Sequence, residues 1–141
     1  MRFRFYFLPL CLFSLLSTDA IAGADLSTYT APSDMKNLHI DELSSGESSS
    51  EFVIFVRNEV KAHIHKKHTE LIYVLEGEGL FYLDETKQII KPGDFIRVNK
   101  GVVHSVKVTS KTPLKVLSIQ TPKFIGKDRF FVNLEMNNSP K

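Results

Sequence analysis

The sequence predicts an all-β domain built as an antiparallel sandwich or barrel. From residue 52 onward, short runs rich in Val, Ile, Phe and Tyr alternate with Gly, Pro and Asp turn signals at intervals of about ten residues. No stretch sustains the 3.6-residue apolar period of an amphipathic helix. A chain of 141 residues with this pattern corresponds to one folded domain preceded and followed by shorter segments.

The first of these segments, residues 1–22, has the layout of a secretory signal peptide. Arg2 and Arg4 form a basic start, residues 5–16 are largely apolar, and residues 20–22 (Ala-Ile-Ala) form a small-x-small cleavage site. A membrane anchor would need ~20 apolar residues, and this run is shorter and interrupted by Pro9. We therefore expect cleavage after Ala22, a periplasmic or secreted protein, and no stable membrane anchor after cleavage.

The remaining chain divides by composition into three parts. Residues 23–50 form an N-terminal arm and loop with one short strand over 38–43, and serine and glycine dominate the loop that follows. Residues 51–122 form the barrel. Its expected strands cover 52–57, 61–65, 70–76, 80–83, 87–90, 94–98, 103–108 and 114–120. Residues 123–141 are a C-terminal extension whose apolar residues pack back as a last strand or lie across a partner subunit.

Three of the five histidines fall close together, and an acidic residue follows them. His63 and His65 stand two apart on an expected strand, so their side chains point to one face about 6–7 Å apart along the chain and can converge on one ion. His68 lies in the expected turn, and Glu70 opens the next strand. His104 begins a strand much further along the chain. The His-x-His pair alone is weak support for metal binding.

The wider spacing of these residues resembles the two signature motifs of the cupin family. The residues that carry the resemblance are, in order, His63, His65, Glu70, Gly77, Pro92-Gly93-Asp94, Gly101 and His104. The resemblance implies a double-stranded β-helix, or jelly-roll, barrel and a homodimer. It also implies that His63, His65, Glu70 and His104 bind one divalent metal ion inside the barrel.

The sequence departs from the motifs at Arg57, Asn99 and Val108, which lie in turns or at strand ends and not among the expected ligands. Asn tolerates turn conformations, so residues 99–101 can still form the corner that presents His104. Three imidazoles and one carboxylate suit Zn, Mn, Cu, Ni or Fe, so the ligand types leave the metal open.

Other polar residues have a simpler interpretation. We expect His68 to be a solvated turn residue and Arg97 to be a solvent-facing strand charge, although an arginine inside a barrel could also clamp a substrate carboxylate. The apolar strand 71–75 lacks polar alternation, which predicts burial on both faces. The resemblance makes a second copy of the chain the expected covering layer.

Three functions remain open at this stage. The first is an exported metal-dependent enzyme of dioxygenase, decarboxylase or isomerase type that acts on a small molecule. The second is a non-catalytic module that binds a small molecule or the metal itself, and the third is a structural cupin without ligand. The formal net charge of +2 leaves no broad basic surface for nucleic acid, which we exclude as a partner.

Overall fold

The computed structural model describes residues 23–132, which fold into strands apart from one short 3₁₀ helix. The elements in chain order are η1 (Leu26–Thr28), β1 (Leu38–Ser45), β2 (Ser50–Val56), β3 (Glu59–His65), β4 (Thr69–Glu76), β5 (Gly79–Leu83), β6 (Thr86–Ile90), β7 (Phe95–Val98), β8 (His104–Val108), β9 (Leu114–Thr121) and β10 (Arg129–Phe131). All eight strands predicted between residues 52 and 120 are present. The all-β prediction is therefore confirmed.

The strands form two antiparallel sheets of five strands each. The first sheet has the order β1-β2-β9-β4-β7, and the second has the order β10-β3-β8-β5-β6. Strands close in sequence mostly belong to opposite sheets, whereas hydrogen-bonded neighbours such as β2 and β9 are far apart in the chain. This is the double-stranded β-helix, or jelly-roll, arrangement.

The main core lies between the two sheets. Side chains alternate between the two faces of each strand, and the inward set includes Val74, Val98 and Leu114, which are almost fully buried. Each such side chain contributes about 1.5–3 kcal/mol through removal of its apolar surface from water.

A smaller apolar cluster covers part of the outer face of the first sheet. Val53 and Phe55 point outward from β2 and pack with Met35, and Leu26 and Tyr29 of the N-terminal arm close over them. The arm is thus tied to the barrel by apolar contacts as well as by the pairing of β1 with β2.

The prediction that residues 71–75 are buried on both faces is wrong for a single chain. Ile72 and Val74 face the core, but Tyr73 on the other face is 41% exposed, next to Phe95 at 63% on β7. The apolar run does not alternate because its outer side chains are themselves large and apolar, not because another part of the chain covers them.

The C-terminal extension returns to the barrel as predicted for a last strand. Phe130 pairs with Ile64, so β10 forms the edge of the second sheet beside β3. The expected signal peptide at 1–22 lies outside the described residues, as do residues 133–141. Over residues 23–132, no helix has the length and apolar character that a membrane span requires.

Candidate metal centre

Strand β3 brings two of the predicted ligands into the barrel. His63 and His65 are each 4% exposed and lie on the same face, with ring centroids 5.1 Å apart. The intervening Ile64 points to the opposite face, as expected for a strand period of two. The His-x-His pair therefore directs two imidazoles toward the space between the sheets.

His104 joins this pair from the neighbouring strand β8. It is the cross-strand partner of His63, and the two ring centroids are 4.1 Å apart. The turn before β8 closes with a hydrogen bond from the Val102 N–H to the Asn99 carbonyl. Gly101 has φ +82° in this turn and donates its N–H to the His65 carbonyl at 2.7 Å. The expected Asn99–Gly101 corner forms and is fastened to the end of β3.

Glu70 reaches the three histidines from the first sheet. It lies near the start of β4, is 6% exposed, and places Oε2 3.5 Å from His65 Nε2 and 3.4 Å from His104 Nε2. One nitrogen from each of His63, His65 and His104 lies within 4.8 Å of the others. All four predicted ligands therefore converge, three from one sheet and one from the other.

The backbone fixes the tautomer of each histidine. His63 Nδ1 lies 2.8 Å from the Lys61 carbonyl oxygen, and His104 Nδ1 lies 3.1 Å from that of Val102. His65 Nδ1 lies 3.2 Å from the Asp128 carbonyl oxygen. A carbonyl can only accept, so each Nδ1 carries a proton, and in a neutral ring the lone pair is then on Nε2. This is the arrangement that presents histidine to a metal.

The Nε2 atom of His104 has no hydrogen-bond partner although it is buried. Its lone pair in the neutral ring would face the oxygen atoms of Glu70, and two electron-rich atoms at 3.4 Å repel unless a positive charge lies between them. A proton or a metal cation can fill this role. The donor set of three imidazoles and a carboxylate fits a divalent transition-metal ion.

The charge states of these residues also suit a cation. Burial is the main cause that lowers the pKa of His63 to about 4, so its ring stays neutral at neutral pH. Burial raises the pKa of Glu70, but the contacts with His104, His65 and Ser118 outweigh burial and hold that pKa below its ordinary value. A neutral imidazole and an ionised carboxylate are the forms that bind metal.

Two further residues orient the expected ligands. Ser118 is fully buried and donates its hydroxyl to Glu70 Oε1 at 2.5 Å, leaving Oε2 directed at the histidines. Asp128 supplies the carbonyl that accepts from His65. Neither residue belongs to the two motifs, so the sequence did not predict either of them.

His68 is not the solvated turn residue that we expected. It is 2% exposed, its Nδ1 lies 2.6 Å from Asp128 Oδ2, and its Nε2 lies 3.1 Å from the Lys123 carbonyl. The Asp128 carboxylate also accepts from the N–H groups of Lys66, Lys67 and His68. The C-terminal segment covers the turn, which explains the burial and keeps His68 away from the metal centre.

A cavity of about 380 Å³ adjoins the four predicted ligands. Its walls are mainly apolar and come from both sheets, with Ile54, Ile72, Phe81 and Val106 among them. Cavities of this size hold small organic molecules. Arg97 is exposed on β7 and takes no part in the wall, in agreement with its expected position on the outer surface.

Comparison with known proteins assigns the chain to a family. The family described as "Cupin domain" matches residues 52–120. An uncharacterized protein of Aquifex aeolicus is 31% identical over 100 residues, which cover 71% of this chain and 82% of that protein. A crystal structure from Klebsiella pneumoniae, of an uncharacterized conserved protein with a double-stranded β-helix domain, superposes with a TM-score of 0.62 at 20% identity. That match covers 71% of this chain and 89% of the other.

Two relatives carry functional names but match shorter stretches. The oxalate-binding protein of Thermotoga maritima is 38% identical over 61 residues, 43% of this chain and 50% of that protein. The quercetin 2,3-dioxygenase of Bacillus subtilis is 40% identical over 48 residues, 34% of this chain and 14% of the enzyme. From the family match, the fold and the similarity to the Aquifex aeolicus protein together, the chain belongs to the cupin family.

Proposed function

We propose that this cupin binds one divalent metal ion on His63, His65, Glu70 and His104 and acts on a small molecule in the adjoining cavity. The observation that carries the proposal is the buried, unpartnered Nε2 of His104 beside the Glu70 carboxylate. A metal ion relieves this contact and uses all three histidine tautomers as the backbone has set them.

The favoured activity is that of a metal-dependent enzyme of dioxygenase, decarboxylase or isomerase type. A metal bound here would supply Lewis-acid or redox chemistry to a ligand oxygen. The chain itself holds the three rings through backbone carbonyls, keeps Glu70 ionised and surrounds the ligand with apolar walls that exclude water. The similarity to a quercetin 2,3-dioxygenase supports an enzyme, although it covers little of that protein.

The alternative is a non-catalytic module that binds a small molecule through the same centre. The similarity to a protein named for oxalate binding favours this alternative. The cavity makes a structural cupin without ligand the weakest of the three hypotheses, because a packed core leaves few voids larger than a water molecule. Turnover separates the first two: an enzyme converts a bound compound, as oxygen uptake or product analysis would detect, and a module releases it unchanged.

Export and dimerisation stay predictions. N-terminal sequencing of protein expressed with its own signal tests cleavage after Ala22. Sedimentation equilibrium tests the homodimer, for which the exposed Tyr73 and Phe95 offer an apolar contact face.

Metal analysis of variants tests the proposed centre. We expect zinc-treated, dialysed protein to retain one ion per chain, and His104→Ala to retain less than a tenth of that amount, because a buried ligand is removed. His39→Ala is the matched control, since His39 is a strand histidine that pairs with Asp41 outside the cavity. Full metal content in folded His104→Ala would contradict the proposal.

A further inference from the structure

We propose that the cavity takes a small monocarboxylate with an apolar chain or ring. Its carboxylate would lie at the metal centre beside Arg129 and Gln120, and its apolar part would fill the interior of the barrel. This inference rests on the proposed function, because it names the ligand class of the same site.

Two cations line the cavity: Lys127, which is exposed, and Arg129. Arg129 is the one that lies on a strand beside the predicted ligands. It is the cross-strand partner of His65 on β10, is half-buried, and lines the cavity together with His63 and His65. Phe131, two residues further on the same face of β10, has its ring centroid 6.3 Å from that of His63. Within residues 23–132, no acidic oxygen lies within 4.0 Å of the Arg129 side-chain nitrogens. Its guanidinium therefore has its planar donor pair free for a ligand carboxylate.

Gln120 contributes a second polar group from the opposite sheet. It is the cross-strand partner of Glu70 on β9, lines the cavity and is only 7% exposed. Its Oε1 atom is buried and has no hydrogen-bond partner among the described residues. A carboxylate can only accept, so Gln120 serves the proposed ligand with its amide turned to donate from Nε2.

The charges at this end of the cavity favour an anion. The positive charge of a divalent ion exceeds the single negative charge of Glu70, and Arg129 adds a further positive charge. The nearby Asp128 carboxylate lowers this excess by one charge but does not cancel it, because the ion and Arg129 together carry more positive charge than Glu70 and Asp128 carry negative charge. The net charge facing the ligand is therefore positive, which stabilises a carboxylate in a site of low polarity.

The remainder of the cavity determines the chemical character of the rest of the ligand. Beyond the metal centre the wall is formed by aliphatic and aromatic side chains, with Leu38, Ile40, Val56 and Ile90 among them. A dicarboxylate such as oxalate would leave this apolar volume unused, whereas a monocarboxylate with a ring or branched chain would fill it and remove apolar surface from water.

Calorimetric titration with three simple probes tests the inference. Benzoate has both the charge and the ring, benzamide lacks the charge, and acetate lacks the ring. In the zinc-loaded protein, we expect benzoate to bind at least tenfold more tightly than benzamide or acetate. Arg129→Gln should weaken the binding of benzoate at least tenfold and leave the binding of benzamide unchanged. The benzoate affinity of Arg129→Lys should lie between those of wild type and Arg129→Gln. The control is Arg97→Gln, the same substitution on the outer surface, which should bind like wild type.

The outcomes separate this inference from the proposed function, because zinc content is measured on every sample. Unchanged benzoate affinity in Arg129→Gln, equal binding of benzoate and benzamide, or absence of benzoate binding would each overturn the inference. Loss of zinc from Arg129→Gln would also overturn it, since Arg129 would then support the metal centre and not the ligand. If wild type takes up no zinc, the proposed function fails and the inference fails with it, because the expected positive charge depends on the ion. Zinc uptake combined with any of the outcomes above overturns the inference alone.

Discussion

At the scale of single residues, the centre depends on Nδ1 of each histidine, the ring nitrogen that would not bind the ion. Carbonyls of Lys61, Val102 and Asp128 hold the three Nδ1 atoms, so the rings cannot turn without losing a hydrogen bond. The backbone thus assembles the site before any ion binds, which lowers the cost of ordering the ligands.

Substitution of Ser118 tests whether the Glu70 carboxylate is preorganised in the same way. We expect Ser118→Ala to lower zinc affinity by about 10-fold to 100-fold, because Glu70 loses the hydroxyl that holds Oε1 and its other oxygen is no longer fixed toward the histidines. Competition with a chromogenic chelator measures the affinity. Ser44→Ala is the control, since Ser44 makes a comparable hydrogen bond to Glu51 away from the cavity. Equal losses in the two variants would contradict a specific role for Ser118.

The sequence predicted the four residues that converge in the barrel but not the residues around them. His63, His65, Glu70 and His104 are recognisable because their spacing follows from the strand period and from a turn that needs glycine at Gly101. The contact between His68 and Asp128 spans 60 residues, and no local pattern encodes it. Arg129 was missed for the same reason, because its place beside His65 depends on the pairing of β10 with β3.

At the scale of elements, the C-terminal segment and the turn between β3 and β4 form one unit. The Asp128 side chain fastens the turn, while its carbonyl holds His65. The position of His65, a predicted metal ligand, is therefore tied to the docking of β10.

Removal of the Asp128 side chain tests that connection. We expect Asp128→Ala to destabilise the protein by about 3 kcal/mol, because buried N–H groups and the His68 ring lose their acceptor. Denaturant unfolding measures the loss, and limited proteolysis should then cut first within residues 122–131. The control is Asp94→Ala, which removes the acceptor of one N–H in an exposed turn. A difference below about 0.5 kcal/mol between the two variants would contradict the role of Asp128.

Strand positions were predictable because glycine, proline and aspartate mark the turns of the barrel. The exposure of each face was not predictable from the same runs. Tyr73 and Ile72 are both large and mainly apolar, so a hydrophobic pattern does not distinguish them. Only the folded structure shows that Ile72 faces the core and Tyr73 faces outward.

At the scale of the whole molecule, the barrel separates polar from apolar chemistry within one cavity. Arg129 and Gln120 lie beside the predicted ligands His65 and Glu70 in strand register, and the rest of the wall is mostly aliphatic and aromatic. The overall formal charge of +2 gives no hint of this arrangement, because the proposed ion and a few buried groups would determine the charge that a ligand meets.

Anomalous diffraction from crystals of the zinc-loaded protein would locate the ion. We expect one zinc ion within about 2.0–2.2 Å of Nε2 of His63, His65 and His104 and of an oxygen of Glu70. An ion bound through Nδ1, an ion elsewhere in the chain, or no ordered ion among these four residues would contradict the proposed metal centre.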